Sequence, residues 1–412
     1  MPGEVTLVKI INGRFRPIER FMNNSKHNFE VAIIGAGPAG SALAYFLSKA
    51  GIKVILIDKA KFPRNKVCAG GLPVKIVKIL PFDISPVIER EIYEVTLSYK
   101  LTRDYRRGCA KPLLYMVNRE KLDFFMIQQA VKSGVDFEEE QTVKALSREG
   151  NTWTVKMADK AVTAAVLVGA DGATSFTAKS LSLKPANCTH IGLQYEVPLH
   201  LFKNAEILER GIVIDWGSFE DSYGWIFPKK EIASIGVQGH VNNGKQLKIY
   251  LDDFLRRCGV SPENQNLMGH LIPHRTVKSA LSANGALLIG DAAGLTDYWT
   301  GEGIFYAVKS AGIAARQIRR FLEKEISLDE YEKAIDKEIM PEFETAYQLS
   351  RIFNHISPLA FRVLKKSNYQ WDIFCRIMRG DRTFWEMKKS FRPDILLGKI
   401  LFKSKRSCLE KE

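Results

Sequence analysis

Three glycines and one acid carry the clearest chemistry in the chain: Gly35, Gly37 and Gly40 within GAGPAG, then Asp58. At this spacing the first glycine permits a tight turn and the second admits a pyrophosphate against bare backbone. The third lets a helix pack close to a strand. Ala39 falls at the start of that helix, where unpaired N–H groups and the positive dipole end suit a bound anion. Asp58 stands where a carboxylate can accept hydrogen bonds from an adenosine ribose. The combination is that of a dinucleotide site. The blander alternative is an αβ unit with a chance glycine turn.

Each of these residues needs an element to hold it. Residues 29–58 read as strand, turn, helix and strand, with Leu43, Ala44, Phe46 and Leu47 at helical spacing, Gly51 ending the helix, and strand 53–57 delivering Asp58. Two later apolar strands also break into small residues. One runs into Gly169-Ala170-Asp171-Gly172, and the other into Gly290-Asp291-Ala292-Ala293-Gly294. Asp-Gly is also an ordinary turn, and Asp291 is also a good helix cap. Thr300-Gly301-Glu302-Gly303-Ile304 opens a helix expected over 305–322, whose first N–H groups can face developing negative charge. Arg119 starts another helix with Leu122, Phe125, Met126 and Ala130 on its apolar face, ending at Ser133-Gly134.

Residues 59–71, KAKFPRNKVCAGG, form a loop, and loops hung on a rigid αβ scaffold commonly carry function. Its plain alternative is a basic surface loop with a buried cysteine. Between 188 and 270 the strand signals dominate. Tyr223, Trp225 and Phe227 alternate with Gly224 and Ile226, so one face of that strand presents aromatics. They could line an apolar cavity or pack in an ordinary sheet core.

The chain has 412 residues, 46% of them hydrophobic, enough for two or three subdomains. Its formal net charge of +14 favours acidic partners: an anionic membrane or an acidic redox protein. Nucleic acid is the least supported acidic partner and none is expected, since no helix-turn-helix, zinc-finger or RNA-binding signature accompanies the charge. Cys68, Cys109, Cys188, Cys258, Cys375 and Cys408 are far apart and read as reduced thiols. No metal is expected, because neither they nor the histidines show paired ligand spacing. With no apolar run long enough to span a bilayer, a cytoplasmic location is expected, with peripheral membrane attachment open. From residue 351 onward fifteen Lys/Arg stand against six Asp/Glu, a net of nine positive charges. That region includes PDILLGKILF and suits either an anionic lipid surface or a solvated helical cap.

The run FPRNKVCAGG, together with YGWIFP, GDAAG and TGEGI, resembles the geranylgeranyl reductase family of flavoproteins, related to the aromatic hydroxylase-type FAD proteins. The resemblance covers nearly all of the chain from about residue 29. It implies an α/β fold, a Rossmann-like FAD-binding domain with an inserted antiparallel β-rich substrate domain and a helical C-terminal part. On this plan residues 29–85, 112–187 and 270–330 bind FAD, 86–111 and 188–269 form the substrate domain, and 331–412 form a helical basic region. Residues 1–28 are an extension to which no chemistry is assigned.

What the resemblance implies about the site is specific. FAD is held by Gly35, Gly37, Ala39, Gly40 and Asp58. The loop residues Lys59, Arg64, Cys68, Ala69 and Gly70 lie along FAD beside its flavin ring, with Cys68 the catalytic candidate. Arg119 reaches the pyrophosphate, with Asp171, Gly172, Gly290 and Asp291 nearby, and Gly301, Gly303 and Ile304 face the flavin's pyrimidine edge. Tyr223, Trp225 and Phe227 face an isoprenoid site. The implied activity is saturation of isoprenoid C=C bonds, with electrons from a ferredoxin-like protein or NADPH. The family commonly places proline before Thr-Gly; this chain has Asp297-Tyr298-Trp299. A flavin monooxygenase and a non-catalytic prenyl-lipid carrier on the same fold are the rival expectations.

Overall fold

The runs VAII and VILI have no polar face, and both are buried on both sides. That is the pattern of parallel strands covered by helices. In the computed structural model, which describes residues 8–11, 14–17, 28–203, 205–216, 218–275 and 279–390, they lie at the centre of an eight-stranded sheet. Its main path runs Asp136–Glu138, Val54–Ile57, Phe29–Ile34, Ala161–Gly169, Thr152–Lys156 and Ala145–Glu149. Ala161–Gly169 is shared along its length: its first half pairs antiparallel with Thr152–Lys156, and its end pairs in parallel with Ala286–Leu288. The loops after Phe29–Ile34, Ala161–Gly169 and Ala286–Leu288 therefore emerge side by side at one edge of the sheet, where open α/β sheets bind ligands.

The helices, in chain order, are α1 (Pro38–Lys49), α2 (Arg119–Lys132), α3 (Phe176–Ser180), α4 (Gly244–Arg257), α5 (Ile304–Leu322), α6 (Glu330–Glu338), α7 (Met340–Lys366), α8 (Asn368–Arg379) and α9 (Phe384–Ser390). α1 is buried against α5 and α2 on one face of the parallel sheet. None of the described helices is long and apolar enough to cross a membrane.

A second sheet has seven strands, in the order Met268–Arg275, Ala186–Pro198, Ile232–His240, Tyr223–Pro228, Gly211–Trp216, Glu94–Tyr99 and Arg103–Gly108. All neighbours are antiparallel except Gly211–Trp216 with Glu94–Tyr99. Leu247, Tyr250, Leu251, Phe254 and Leu255 of α4 cover one face, packing on Tyr195, Val213, Ile226, Ile235 and Val237. Strand alternation then turns Tyr223, Trp225 and Phe227 to the opposite face. The sheet's outer strand reaches Arg275 because Met268–Arg275 pairs with Ala186–Pro198, so it extends beyond the boundaries expected at 188 and 270.

α7 and α8 close over the far edge of this sheet. Trp371 donates from Nε1 to the Gly108 carbonyl at 2.9 Å, and Arg107 donates to the carbonyls of Leu364 and Ser367 at 2.8 and 3.2 Å. Here the expectation of reduced thiols is corrected: Cys109 and Cys375 form a disulfide across 266 residues, their Cα atoms 6.7 Å apart. Such a pairing depends on how α8 docks, a non-local fact that cysteine spacing does not carry. Cys68, Cys188 and Cys258 are free, and Cys408 lies outside the described residues, as do 391–412 and the PDILLGKILF run.

Candidate active site

Gly35 adopts φ +103°, and a Cβ there would lie 2.3 Å from the Ala170 carbonyl oxygen, so no side chain fits the first turn. A Cβ on Gly40 would lie 1.9 Å from the Gly35 oxygen. Gly37 differs: a Cβ there would meet only Arg64 Nη2, 3.9 Å away, so its backbone faces open space. α1 begins beyond it with Pro38 at its start and no capping side chain, leaving its first N–H groups for an anion. Asp58 accepts from Ala36 N–H at 2.7 Å and Ala60 N–H at 2.8 Å, bracing the turn. Each oxygen retains a second lone pair.

The other two loops meet this one. Gly290 is left-handed at φ +56°, and a Cβ there would sit 2.9 Å from that of Ala39, so the Gly290-Asp291 turn abuts the start of α1. The Asp171 carboxylate accepts from Ser175 Oγ at 2.5 Å and from Thr177 N–H and Oγ1 at 2.9 and 3.0 Å. It caps α3, while Gly172 beside it takes φ +81°. Its backbone abuts the first glycine turn, since a Cβ on Gly35 would lie 2.8 Å from Asp171 N, while its carboxylate braces the helix.

Arg119 is buried and grips Asp123 through Nε and Nη2, both at 2.8 Å. Arg64 reaches the same carboxylate at 3.2 Å through Nη2, and its Nη1 is buried with no hydrogen-bond partner. Asp123 thus neutralises one arginine and orients both, an arrangement that a helix-start arginine alone did not announce. Its position one turn after Arg119 was the only available signal. Lys66 Nζ sits 3.2 Å from His270 Nε2, which is 3.9 Å from Asp291. Burial, reinforced by Arg119, lowers the Lys66 pKa from its ordinary value. Half-buried Cys68 lies beside Arg119. Ala69 is half-buried beside it, and Gly70 takes φ +82° where a Cβ would strike the Val117 carbonyl. Lys59 is exposed and is not brought to this cluster. The open backbone at Gly37, the uncapped α1 and the orphaned Arg64 Nη1 together fit the diphosphate of FAD.

The aromatic strand spans two of the loops. Tyr223 donates its hydroxyl to the Thr300 carbonyl at 2.5 Å, at one end of a row whose ring centroids are 5.8 Å (Tyr223 to Trp225) and 6.5 Å (Trp225 to Phe227) apart. At the other end Phe227 lies against Gly71, where a Cβ would be 2.8 Å from its ring. Gly236 makes room for Trp225, since a Cβ there would fall 2.2 Å from the indole. Burial pushes the Tyr223 phenol well above its ordinary range.

Asp297 shapes the second loop. Its Oδ1 accepts from Trp299 N–H at 3.1 Å and from Thr300 N–H and Oγ1, both at 2.7 Å. Gln238 donates to the Trp299 carbonyl at 3.3 Å, and its side chain excludes a Cβ at Gly301, which takes φ +69°. Glu302 accepts from Phe305 N–H at 2.9 Å, and burial pushes its carboxyl up to about 7. Gly303 and Ile304 then start α5 with no side-chain cap. A cavity of about 330 Å³ opens beside this loop, walled by Trp216, Tyr223, Trp299 and Phe353. Gln238 and His270 carried no motif in the sequence, and Lys66 lay within the FPRNKVCAGG run without being assigned a role.

Residues 28–201 match the FAD binding domain family. An uncharacterized protein of Methanosarcina barkeri is 33% identical, covering 82% of this chain and 87% of its own. The chloroplastic geranylgeranyl diphosphate reductase of Arabidopsis thaliana is 28% identical over 87% of this chain and 80% of its own. A geranylgeranyl bacteriochlorophyll reductase-like structure from Thermoplasma acidophilum superposes with a TM-score of 0.72 at 20% identity, covering 85% of this chain and 96% of that one.

Proposed function

Because the chain belongs to the geranylgeranyl reductase family of FAD-dependent oxidoreductases, we propose that it saturates carbon–carbon double bonds of a geranylgeranyl-type isoprenoid chain on a lipid or prenyl precursor. The aromatic row running from Thr300 to Gly71 carries this assignment, because it walls the gap between the two loops expected to flank the flavin. When bound, FAD supplies the hydride equivalent for C=C reduction.

The protein's own part is binding, orientation and exclusion of water. Gly37, the start of α1, Arg64 and Arg119 hold the diphosphate. Half-buried Tyr223 and Phe227, backed by buried Trp225, offer an isoprenoid apolar surface without charge, which keeps water from the reacting bond. Tyr223 stays protonated and anchors the Thr300 loop. We assign Cys68, at the edge of Arg119, as the reactive side chain on the other loop.

The finer assignments follow from charge and surface. The excess of positive charge favours an acidic ferredoxin-like donor, steered by attraction that salt screens, over NADPH. On α7, Ile352, Ile356, Leu359 and Val363 are all exposed, at spacings of four, three and four residues. Arg351, Arg362 and Lys366 flank this stripe on one side, so α7 suits an anionic membrane surface.

Anaerobic incubation of the FAD-loaded protein with dithionite and geranylgeranyl diphosphate, followed by mass spectrometry, tests the function. Products heavier by two hydrogens per saturated bond are expected. Unchanged substrate, or an oxygen-inserted product when air is admitted, would overturn it.

A further inference from the structure

A second concavity of about 420 Å³ lies between Arg103–Gly108 and the C-terminal half of α7. Its wall carries Arg103, Arg362, Lys365 and Lys366 against one carboxylate, Asp104. Its floor is apolar: Phe361, 7% exposed, packs on Tyr99 with ring centroids 5.8 Å apart. Tyr99 also lines the aromatic cavity, so the two spaces share a wall.

The cations of this groove are distinguished by what they do not bind. Nearby Arg106 pairs with Glu94, and Arg107 is committed to the last carbonyls of α7 and to Asn368. Arg107 thereby takes up acceptors at the end of α7 that would otherwise attract lysine. Among the described residues, the side chains of Arg103, Arg362 and Lys366 make no ion pair or hydrogen bond, and that of Lys365 only overlies the Tyr105 ring at 5.8 Å. Arg362 stands three and four residues before Lys365 and Lys366, like-charge spacings that each cost a helix a few tenths of a kcal/mol. A bound anion would relieve that repulsion.

We infer that this groove binds the phosphate-bearing headgroup of the prenyl substrate, with the isoprenoid chain passing Tyr99 into the aromatic cavity. The inference rests on the prenyl-reductase reading. Phe353, at the aromatic cavity, and Phe361, at the groove, are eight residues apart on α7, about 12 Å along its axis. That is a separation a multi-isoprene chain can bridge.

Calorimetric titration of the full-length FAD-loaded protein tests this with four probes: geranylgeranyl diphosphate, geranylgeraniol, inorganic pyrophosphate, and a prenyl diether glycerophosphate in zwitterionic micelles. The parent should bind a phosphate-bearing prenyl compound at least tenfold more tightly than the alcohol, with an advantage that shrinks in high salt. The Arg103→Gln, Arg362→Gln, Lys366→Gln triple variant should lose that advantage while binding the alcohol as before. Whichever of the diphosphate and glycerophosphate loses more identifies the headgroup source. Equal affinity of the parent for alcohol and phosphorylated forms would overturn the inference and leave the prenyl reading standing. So would an equal loss for both in the variant. Binding of pyrophosphate but of no prenyl compound would overturn both.

Discussion

Arg119 clasps Asp123 with two parallel donors, each 2.8 Å long, inside the first turn of α2. The pair is buried, and Arg64 joins it with one donor left unpaired. The carboxylate therefore holds two guanidinium groups in place for a diphosphate. Asp123→Asn keeps the shape but removes the charge that orients them. Its FAD dissociation constant should rise about tenfold, in line with a loss of about 1.4 kcal/mol. The check is titration of the apoprotein with FAD, alongside circular dichroism to show that the fold persists. Unchanged affinity would show that Asp123 serves α2 alone.

Gly37 and Gly40 should fail in different ways. A side chain at Gly37 points into the cradle and touches little protein, so Gly37→Val should fold and lose FAD. At Gly40 an added Cβ strikes the Gly35 carbonyl, so Gly40→Ala should destabilise the protein itself. Flavin absorbance per protein after gel filtration, together with thermal melting, separates the two. Stoichiometric FAD on Gly37→Val would contradict the binding geometry.

Glu302 gives a pH signature. Burial raises its carboxyl to about 7 in the folded protein, so the folded state binds a proton that the unfolded chain has released. Between the ordinary carboxylate pKa and about 7, stability must therefore fall as pH rises. Relative to Glu302→Gln, the parent should match at pH 4 and melt a few degrees lower by pH 8. Parallel melting curves across that range would remove the shifted carboxyl from the account.

The exposed stripe on α7 makes a membrane prediction. Ile356→Glu with Leu359→Glu should abolish co-sedimentation with phosphatidylglycerol vesicles and leave flavin content intact. Equal sedimentation of variant and parent would place membrane contact elsewhere.

The parallel core and its cofactor turn were legible because they are local: glycines, a helix start and an acid lie within residues 29–58. The orientation of Tyr223, Trp225 and Phe227 was legible only as an alternation. Which face they occupy was settled by α4, which covers Gly224 and Ile226. What sequence did not show is non-local. Arg64 meets Asp123 from a different element, Gln238 reaches the Trp299 loop across a domain, and Cys109 finds Cys375 only because α8 docks on the second sheet. The run Asp297-Tyr298-Trp299 was legible as a departure from the family's proline, but Asp297 was not legible as the acceptor that closes the turn.

The most direct test of the central claim is a single turnover without oxygen. The bound flavin is photoreduced and mixed with geranylgeranyl diphosphate in a stopped-flow instrument, and its reoxidation is followed by absorbance. The parent should reoxidise as the prenyl chain gains two hydrogens, and Cys68→Ala, still yellow, should do so at least tenfold more slowly. A flavin that stays reduced with the prenyl compound and reoxidises only when oxygen is admitted would contradict the account.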